Sequence, residues 1–223
     1  MLNKRVLLFD IESTNLAANF GYILCISYKW LGESSVHTIR IDKFKRFQND
    51  PTNDVEVVKA FEDVFNQADR VVAHYGKKFD KTFINTRRLI HGLLVLPNTK
   101  LIDTWRIAKD HMRLNSNRLA TLINALGVKT QKTALSGPVW IKAMAGDKKA
   151  IDYVVHHCIA DVKALEEVFL KIRPLISETE HPGLHKCAPK YLRSNGYRTA
   201  DKQTYKRLYC VKCSGWFKGE LVK

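Results

Sequence analysis

The hydrophobic pattern at the start of the chain is that of β-strands. Residues 4–10 (KRVLLFD) contain a short apolar run, and two further runs follow at 21–30 and 36–41. Turn residues separate the three runs, and short apolar runs between turn signals are typical of strands. The pattern therefore predicts a meander of three consecutive strands.

Helical and strand-like segments alternate in the next part of the chain. Apolar residues spaced three and four apart predict helices, and short apolar runs between them predict strands. The predicted elements are a helix at 51–68, a strand at 70–76, a helix at 79–93, a strand at 99–104, a helix at 116–128 and a helix at 147–171. Three strands followed by this alternation predict an α/β fold with a mixed central sheet and flanking helices.

Local signals mark where some of these elements end. Ser116 and Asn117 are alternative N-caps for the helix at 116–128, and Gly127 is placed to end it. After the last helix, the composition turns polar around Pro174 and at 177–182, which is typical of a linker. We therefore expect a larger domain at 1–175 and a small module at 176–223.

The charge of the chain points to a polyanionic partner. Lys and Arg outnumber Asp and Glu by 37 to 22, a net charge of +15, and segment 181–223 has ten Lys and Arg against two acids. This excess favours nucleic acid first and an anionic membrane surface second, with a merely basic surface as the alternative. The sequence has no apolar run long enough to span a membrane and no signal-peptide pattern, so we expect an intracellular, cytoplasmic protein without a membrane partner.

Carboxylates follow the first predicted strand and recur in two later elements. Asp10 and Glu12 are two residues apart at the end of that strand, so their side chains share one face. Two hard oxygen ligands side by side suit Mg²⁺ or Mn²⁺, although a polar strand end is the alternative. Asp80 begins a predicted helix, where helix capping would also explain an aspartate. Asp161 lies on the apolar side of the last helix, where a carboxylate needs a partner or a metal ion.

These residues stand in stretches that resemble the DEDD family of 3′–5′ exonucleases. The matching stretches, in family order, are VLLFDIEST, VVAHYGKKFDKTFINTRRL, LIDTW, SNRLATLINALGV and GDKKAIDYVVHHCIADVKALEEVF. They are most similar to the branch that contains the proofreading domains of family B DNA polymerases and related stand-alone nucleases. The resemblance implies an RNase H-like fold and a phosphodiesterase that works on nucleic acid ends.

The resemblance also implies a centre of two divalent ions, Mg²⁺ or Mn²⁺. The implied ligands are Asp10, Glu12, Asp80 and Asp161. In such centres the ions lie about 4 Å apart, one activating the attacking water and the other stabilising the leaving 3′ oxygen. This chain departs from the family at Tyr75, because the family usually has Asn after the histidine that corresponds to His74. Asp103, in LIDTW, matches a recurring family position and is expected to support the site rather than to ligate.

Two adjacent histidines precede Asp161, and the family divides by its general base. One branch has His five residues before the last Asp, as His156 stands here, and the other has Tyr four before it, where His157 stands. On a helix, a residue four back lies about 40° from Asp161 and one five back about 140°. The segment from Asp147 has no Gly or Pro before Asp161, so we predict one helix and place His157 beside the metal ions, activating or orienting the water. A helix that begins later would instead favour His156.

The basic tail contains a pair of cysteines with zinc-knuckle spacing. Cys210 and Cys213 form the pair, Cys187 precedes it, and either His185 or His181 is available as the fourth ligand. The segment is similar to the zinc ribbons of transposases and related nucleic-acid-binding modules, although a histidine must replace one cysteine. We predict structural Zn²⁺, with three free or buried thiols as the alternative. The expected nucleic-acid contacts of the tail are Arg193, Arg198, Lys206 and Arg207.

The sequence therefore predicts a metal-dependent 3′–5′ exonuclease with a zinc ribbon that holds nucleic acid, DNA before RNA. The direction of hydrolysis comes from the resemblance alone. The alternatives are an endonuclease of the same fold, a nucleic-acid-binding protein without catalysis and, more remotely, a membrane-surface protein. The sequence does not determine substrate strandedness or oligomeric state.

Overall fold

The structure is a computed structural model that describes residues 5–130, 133–176, 192–200, 203–210 and 216–222. Of the predicted zinc ligands, Cys210 is described, whereas His181, His185, Cys187 and Cys213 lie outside the described residues.

A mixed sheet forms the centre of the larger part. Its strands are β1 (Val6–Ser13), β2 (Ile23–Trp30), β3 (His37–Arg40), β4 (Arg70–Ala73) and β5 (Lys100–Asp103). The strand order is β3-β2-β1-β4-β5, in which β2 is antiparallel to both β1 and β3, β4 is parallel to β1, and β5 is parallel to β4. The predicted meander and the mixed sheet are confirmed.

Helices flank this sheet. They are α1 (Arg46–Asn49), α2 (Val55–Phe65), α3 (Asp80–Ile90), α4 (Thr104–His111), α5 (Leu119–Ala125), α6 (Gly137–Met144) and α7 (Lys148–Ile172). Short 3₁₀ turns occur at Ile41–Lys43 and Arg173–Leu175. The sequence pattern predicted α2, α3, α5 and α7 but not α1, α4 and α6.

The two faces of the sheet belong to different hydrophobic clusters. On β1, Leu7 and Phe9 pack in one cluster and Leu8 in the other, as the alternation of side chains along a strand requires. In the first cluster, the ring of Phe9 lies 5.1 Å from that of Phe61 in α2. Helix α7 contributes its N-terminal half to the first cluster and its C-terminal half to the second, so it crosses the end of β1.

The ends of α5 agree with the sequence in one case and not in the other. Gly127 follows the C-terminal end with a φ of 58°, and Val128 N–H donates to the Ile123 carbonyl at 2.9 Å, which confirms the predicted stop. The prediction of Ser116 or Asn117 as the N-cap is wrong. Arg118 occupies that position. The Ser116 hydroxyl oxygen accepts the Arg118 N–H at 3.3 Å, but this N–H belongs to the N-cap residue itself and not to the first turn of the helix.

The described part of the tail is an antiparallel sheet of three strands. They are β6 (Leu192–Ala200), β7 (Gln203–Cys210) and β8 (Trp216–Leu221), in the order β6-β7-β8. Among the described helices of the whole chain, none combines the length and the apolar composition needed to cross a membrane.

Candidate active site

Strand β1 places two carboxylates at its carboxyl end. Asp10 lies opposite Ser27 and Glu12 opposite Cys25 of β2, so the two acidic side chains point to the same face of the sheet. Both are only partly buried, although the strand residues before them form the core. The end of a central strand therefore holds a carboxylate pair at a fixed spacing.

Helix α7 brings a histidine and a third carboxylate to this pair. It runs without a break from Lys148 to Ile172, which confirms the predicted continuous helix. His157 is 9% exposed, and its Nε2 lies 3.7 Å from Glu12 Oε1 and 3.8 Å from Asp161 Oδ2. His156 is exposed. The structure therefore brings His157, and not its neighbour, to the carboxylates.

A hydroxyl group orients the His157 ring. The Thr133 Oγ1 atom lies 2.7 Å from His157 Nδ1, so the other ring nitrogen faces the acidic residues. A hydrogen bond at one ring nitrogen fixes the orientation of the ring and the role of the second nitrogen. Thr133 is not predicted from the sequence, because no local pattern links it to a residue 24 positions away.

The donor set fits a hard divalent cation. Ligand atoms of Glu12, His157 and Asp161 lie within 4.8 Å of one another, and so do those of Asp10, Glu12 and Cys158. Carboxylate oxygens are the preferred ligands of Mg²⁺ and Mn²⁺. Glu12 lies within this distance of both Asp10 and Asp161, so the negative charges repel one another, and a cation relieves that repulsion.

Cys158 contributes a neutral thiol to the second group. Burial raises the pKa of its thiol well above the ordinary value, and the adjacent Cys25 raises it further. Its Sγ lies 3.5 Å from the Asp10 carbonyl oxygen and 3.6 Å from Asp10 Oδ2, where a thiol can donate. The ionised donors of this group are therefore the carboxylates.

Asp80 takes a different position from the other three predicted ligands. It is the first residue of α3, is 3% exposed, and accepts the Ile11 N–H at 3.2 Å through Oδ1. Burial raises the pKa of Asp80 to about 7, against two backbone N–H bonds that lower it, and the Asp103 charge raises it further. Among the described residues, neither group of metal-ligand atoms includes Asp80. The structure therefore anchors it to the backbone between Asp10 and Glu12.

Asp103 organises the loop that precedes α3. Its carboxylate accepts the N–H of Tyr75 at 2.9 Å and that of Lys77 at 3.1 Å, and it also caps α4 through the N–H groups of Trp105 and Arg106. Tyr75 has a φ of 65°, the left-handed region that Asn tolerates better than Tyr. Tyr75 therefore adopts a conformation that suits Asn better, and the hydrogen bond from its N–H to Asp103 holds the backbone in that conformation.

A cavity of about 540 Å³ opens beside the carboxylates. Asp10 and Asp161 form part of its wall, Tyr75 and Trp105 form an aromatic part, and Arg118 contributes a positive charge. The Tyr75 and Trp105 rings meet edge to face, with their centres 5.0 Å apart. Carboxylates, an arginine and aromatic rings around one cavity suit a ligand that has both phosphate and base.

A sequence profile of the RNase H superfamily matches residues 7–172. The chain belongs to the RNase H superfamily. The match extends from the second residue of β1 to the end of α7, and it therefore includes every residue of the carboxylate site. Membership of the superfamily supports a nuclease-type function, and the predicted RNase H-like fold is confirmed.

A solved structure shares this RNase H-like fold. It is the family B DNA polymerase from the hyperthermophilic archaeon Pyrobaculum calidifontis, with a TM-score of 0.63 and 15% sequence identity. The similarity covers 77% of this chain and 25% of the polymerase chain, and at this identity it concerns the fold. A comparison with curated protein sequences found no match.

Beyond the RNase H-like part, the tail sheet separates the predicted nucleic-acid contacts by face. Arg193 lies opposite Tyr209, and Arg198 opposite Tyr205, so they share one face of the sheet with Arg207. Lys206 lies on the other face with Cys210, which is buried. Three of the four predicted basic residues are therefore brought together, and Lys206 is not.

Proposed function

We propose that this chain is a divalent-metal-dependent 3′–5′ exonuclease that hydrolyses phosphodiester bonds of nucleic acid, DNA before RNA. The observation that carries the proposal is the convergence of Glu12, His157 and Asp161 from β1 and α7, with Asp10 two residues before Glu12 on the same face of β1. The 3′–5′ direction rests on the resemblance to the DEDD exonucleases.

The chain's own residues have distinct roles in this proposal. Asp10, Glu12 and Asp161 would hold Mg²⁺ or Mn²⁺, with Asp80 completing the set as the resemblance implies. When bound, the ions supply a more acidic water and stabilise negative charge on the leaving oxygen. Asp10 and Glu12 have a fixed spacing, because both belong to the part of β1 that pairs with β2.

His157 is the proposed proton acceptor. Its Nε2 faces the Glu12 and Asp161 carboxylates, where the attacking water would lie, and its Nδ1 is tied to the Thr133 hydroxyl. A base held in one orientation within reach of the water contributes to hydrolysis through proton transfer.

The cavity beside the carboxylates is the proposed site of the terminal nucleotide. Arg118 can contact its phosphate, and the rings of Tyr75 and Trp105 offer apolar surface for the base. The tail is proposed to form a second nucleic-acid-binding surface. Its structural Zn²⁺ would be held by Cys187, Cys210, Cys213 and one of His181 and His185.

The test is Mg²⁺-dependent digestion of matched DNA and RNA strands, each labelled at one end. We expect mononucleotide release from the 3′ end and no cleavage of a closed circular strand, since a circle has no end. The Asp161→Asn variant should lose at least about 10²-fold in rate while it still binds the strand. Cutting of the circle would instead support an endonuclease, and full activity of Asp161→Asn would contradict the proposed site.

A further inference from the structure

A second cavity, of about 600 Å³, lies next to the first. Its walls come from β5, from α4 and from the loop before α3, at the β5 edge of the sheet. Trp105 lines both cavities. The two cavities are therefore adjacent along the surface, and the aromatic pair of Tyr75 and Trp105 stands at their boundary.

Basic side chains line this second cavity. They are Lys77, Lys78, Lys100 and Arg106, with His111 beside them. Its two acids are already engaged, because Asp103 accepts backbone N–H groups and Asp110 pairs with Arg106 at 2.7 Å. Within the described parts of the chain, the ammonium groups of Lys77 and Lys78 have no hydrogen-bond or ion-pair partner. The lining therefore has four Lys and Arg side chains against two carboxylates, which leaves an excess of positive charge.

The boundary between the cavities is held in a fixed arrangement. The Asp103 carboxylate accepts the N–H groups of both Tyr75 and Trp105, so one side chain fixes the backbone under both rings. Lys109 Nζ lies 5.0 Å from the centre of the Trp105 ring, which adds positive charge at the same place. The Tyr75 side chain is 40% exposed, so ring surface is left for contact with a ligand.

We propose that the second cavity is a subsite for single-stranded nucleic acid, which passes from the carboxylate cavity across Tyr75 and Trp105 into it. Lys77 and Lys78 would contact phosphates, and the two rings would contact a base at the crossing. Backbone-tracking cations interleaved with aromatic rings are the recurring chemistry of single-strand binding. This inference rests on the proposed nuclease function, because it assigns the path of that enzyme's substrate.

The test compares substrates that reach different distances from the carboxylates. The shorter is the p-nitrophenyl ester of thymidine 5′-monophosphate, and the longer is a DNA single strand of about 12 nucleotides. The variant is Lys77→Gln with Lys78→Gln. A matched control is Lys43→Gln with Lys45→Gln, which removes two exposed lysines beyond β3, at the opposite edge of the sheet. Thermal unfolding of both variants checks that they fold.

We expect the Lys77/Lys78 variant to raise the ratio of KM for the strand to KM for the ester about tenfold at low salt. The control should leave this ratio at the wild-type value. In EDTA, the slope of log Kd for the strand against log salt concentration should fall by about 0.7 for each phosphate contact removed.

An unchanged KM ratio and an unchanged salt slope would overturn the subsite. A wild-type chain that hydrolyses neither substrate would overturn the proposed nuclease function. Binding in EDTA would still decide the subsite in that case, because the salt slope does not depend on turnover. An equal rise of the KM ratio in the Lys77/Lys78 variant and in the control would assign the effect to net charge, and it would also overturn the subsite.

Discussion

At the residue scale, two adjacent histidines have different environments because a helix separates them by 100°. His157 points to Glu12 and Asp161 and contacts Thr133, whereas His156 is exposed. Their chemistry is identical, so their position on α7 alone distinguishes them. A residue four positions before Asp161 shares its face of the helix, and His157 occupies that position.

The first prediction separates the two histidines by kinetics. We expect His157→Ala to lower the single-turnover rate constant by about 10²-fold or more, because it removes the proton acceptor. His156→Ala should stay within about twofold of wild type, since an exposed side chain can be truncated without loss of packing. The measurement is single-turnover hydrolysis of an end-labelled strand with saturating Mg²⁺. The reverse order of the two effects would contradict the assignment.

The second prediction concerns the pH dependence contributed by Asp80. Its pKa of about 7 lies above the ordinary value of 3.8, so between these pH values the folded chain keeps a proton that the unfolded chain has lost. Stability is therefore lost as the pH rises through this window, and it is fully present below about pH 4.

Asp80→Asn removes this dependence and keeps an oxygen that can accept the Ile11 N–H. In EDTA at about pH 8, we expect the free energy of unfolding of the variant to be a few kcal/mol higher than that of wild type, since each pKa unit corresponds to about 1.4 kcal/mol. The two proteins should agree below about pH 4. Urea unfolding across the pH range measures both, and parallel curves would contradict the raised pKa.

At the scale of elements, one carboxylate joins three parts of the chain. Asp103 ends β5, caps α4, and holds the loop at Tyr75 and Lys77 through their N–H groups. The left-handed Tyr75 is a conformation that costs about 1–2 kcal/mol for such a residue. Because the same carboxylate bonds the backbone of both segments, it offsets this cost and fixes Tyr75 relative to Trp105.

The third prediction tests this connection. We expect Asp103→Ala to lower the free energy of unfolding by about 2–4 kcal/mol, through loss of the helix cap and of charge-assisted bonds to the loop. Asp110→Ala is the control, since it removes an exposed pair with Arg106 in the same helix and should cost about 0.5 kcal/mol or less. Chemical denaturation measures both. Equal costs would show that the Asp103 bonds do not hold the loop.

At the scale of the whole molecule, basic charge is distributed over two parts with different architecture. The RNase H-like part carries the carboxylate site, and segment 181–223 carries ten Lys and Arg against two acids. In the tail sheet, Arg193, Arg198 and Arg207 share a face with Tyr205 and Tyr209. This distribution is expected if the RNase H-like part hydrolyses the strand and the tail raises the affinity for it.

The fourth prediction tests the division into 1–175 and 176–223. A chain that ends at residue 175 should fold, hydrolyse the nucleotide ester and contain no zinc, whereas the full chain should contain about one zinc ion. Its Kd for a DNA single strand should be at least about tenfold higher than that of the full chain at low salt. Elemental analysis and fluorescence anisotropy are the measurements. A shorter chain that does not fold would contradict the boundary.

The sequence by itself determined the α/β class, the meander, the long helix and the positions of the carboxylates. These depend on periodicity along the chain, which residues near one another in sequence establish. Asp10 and Glu12 share a face because a strand alternates, and His157 and Asp161 share one because a helix turns every 3.6 residues. Such relations follow from local geometry, so they could be inferred before any tertiary contact was known.

Tertiary structure alone decided the contacts that complete the site. The Ile11 N–H meets Asp80 from 69 residues away, the Tyr75 N–H meets Asp103 from 28 away, and the Thr133 hydroxyl meets His157 from 24 away. No repeat or spacing encodes these pairs, because they depend on how the sheet and helices pack. The same packing places Trp105 between two cavities, and it makes an aspartate at the start of a helix a buried acid rather than a cap.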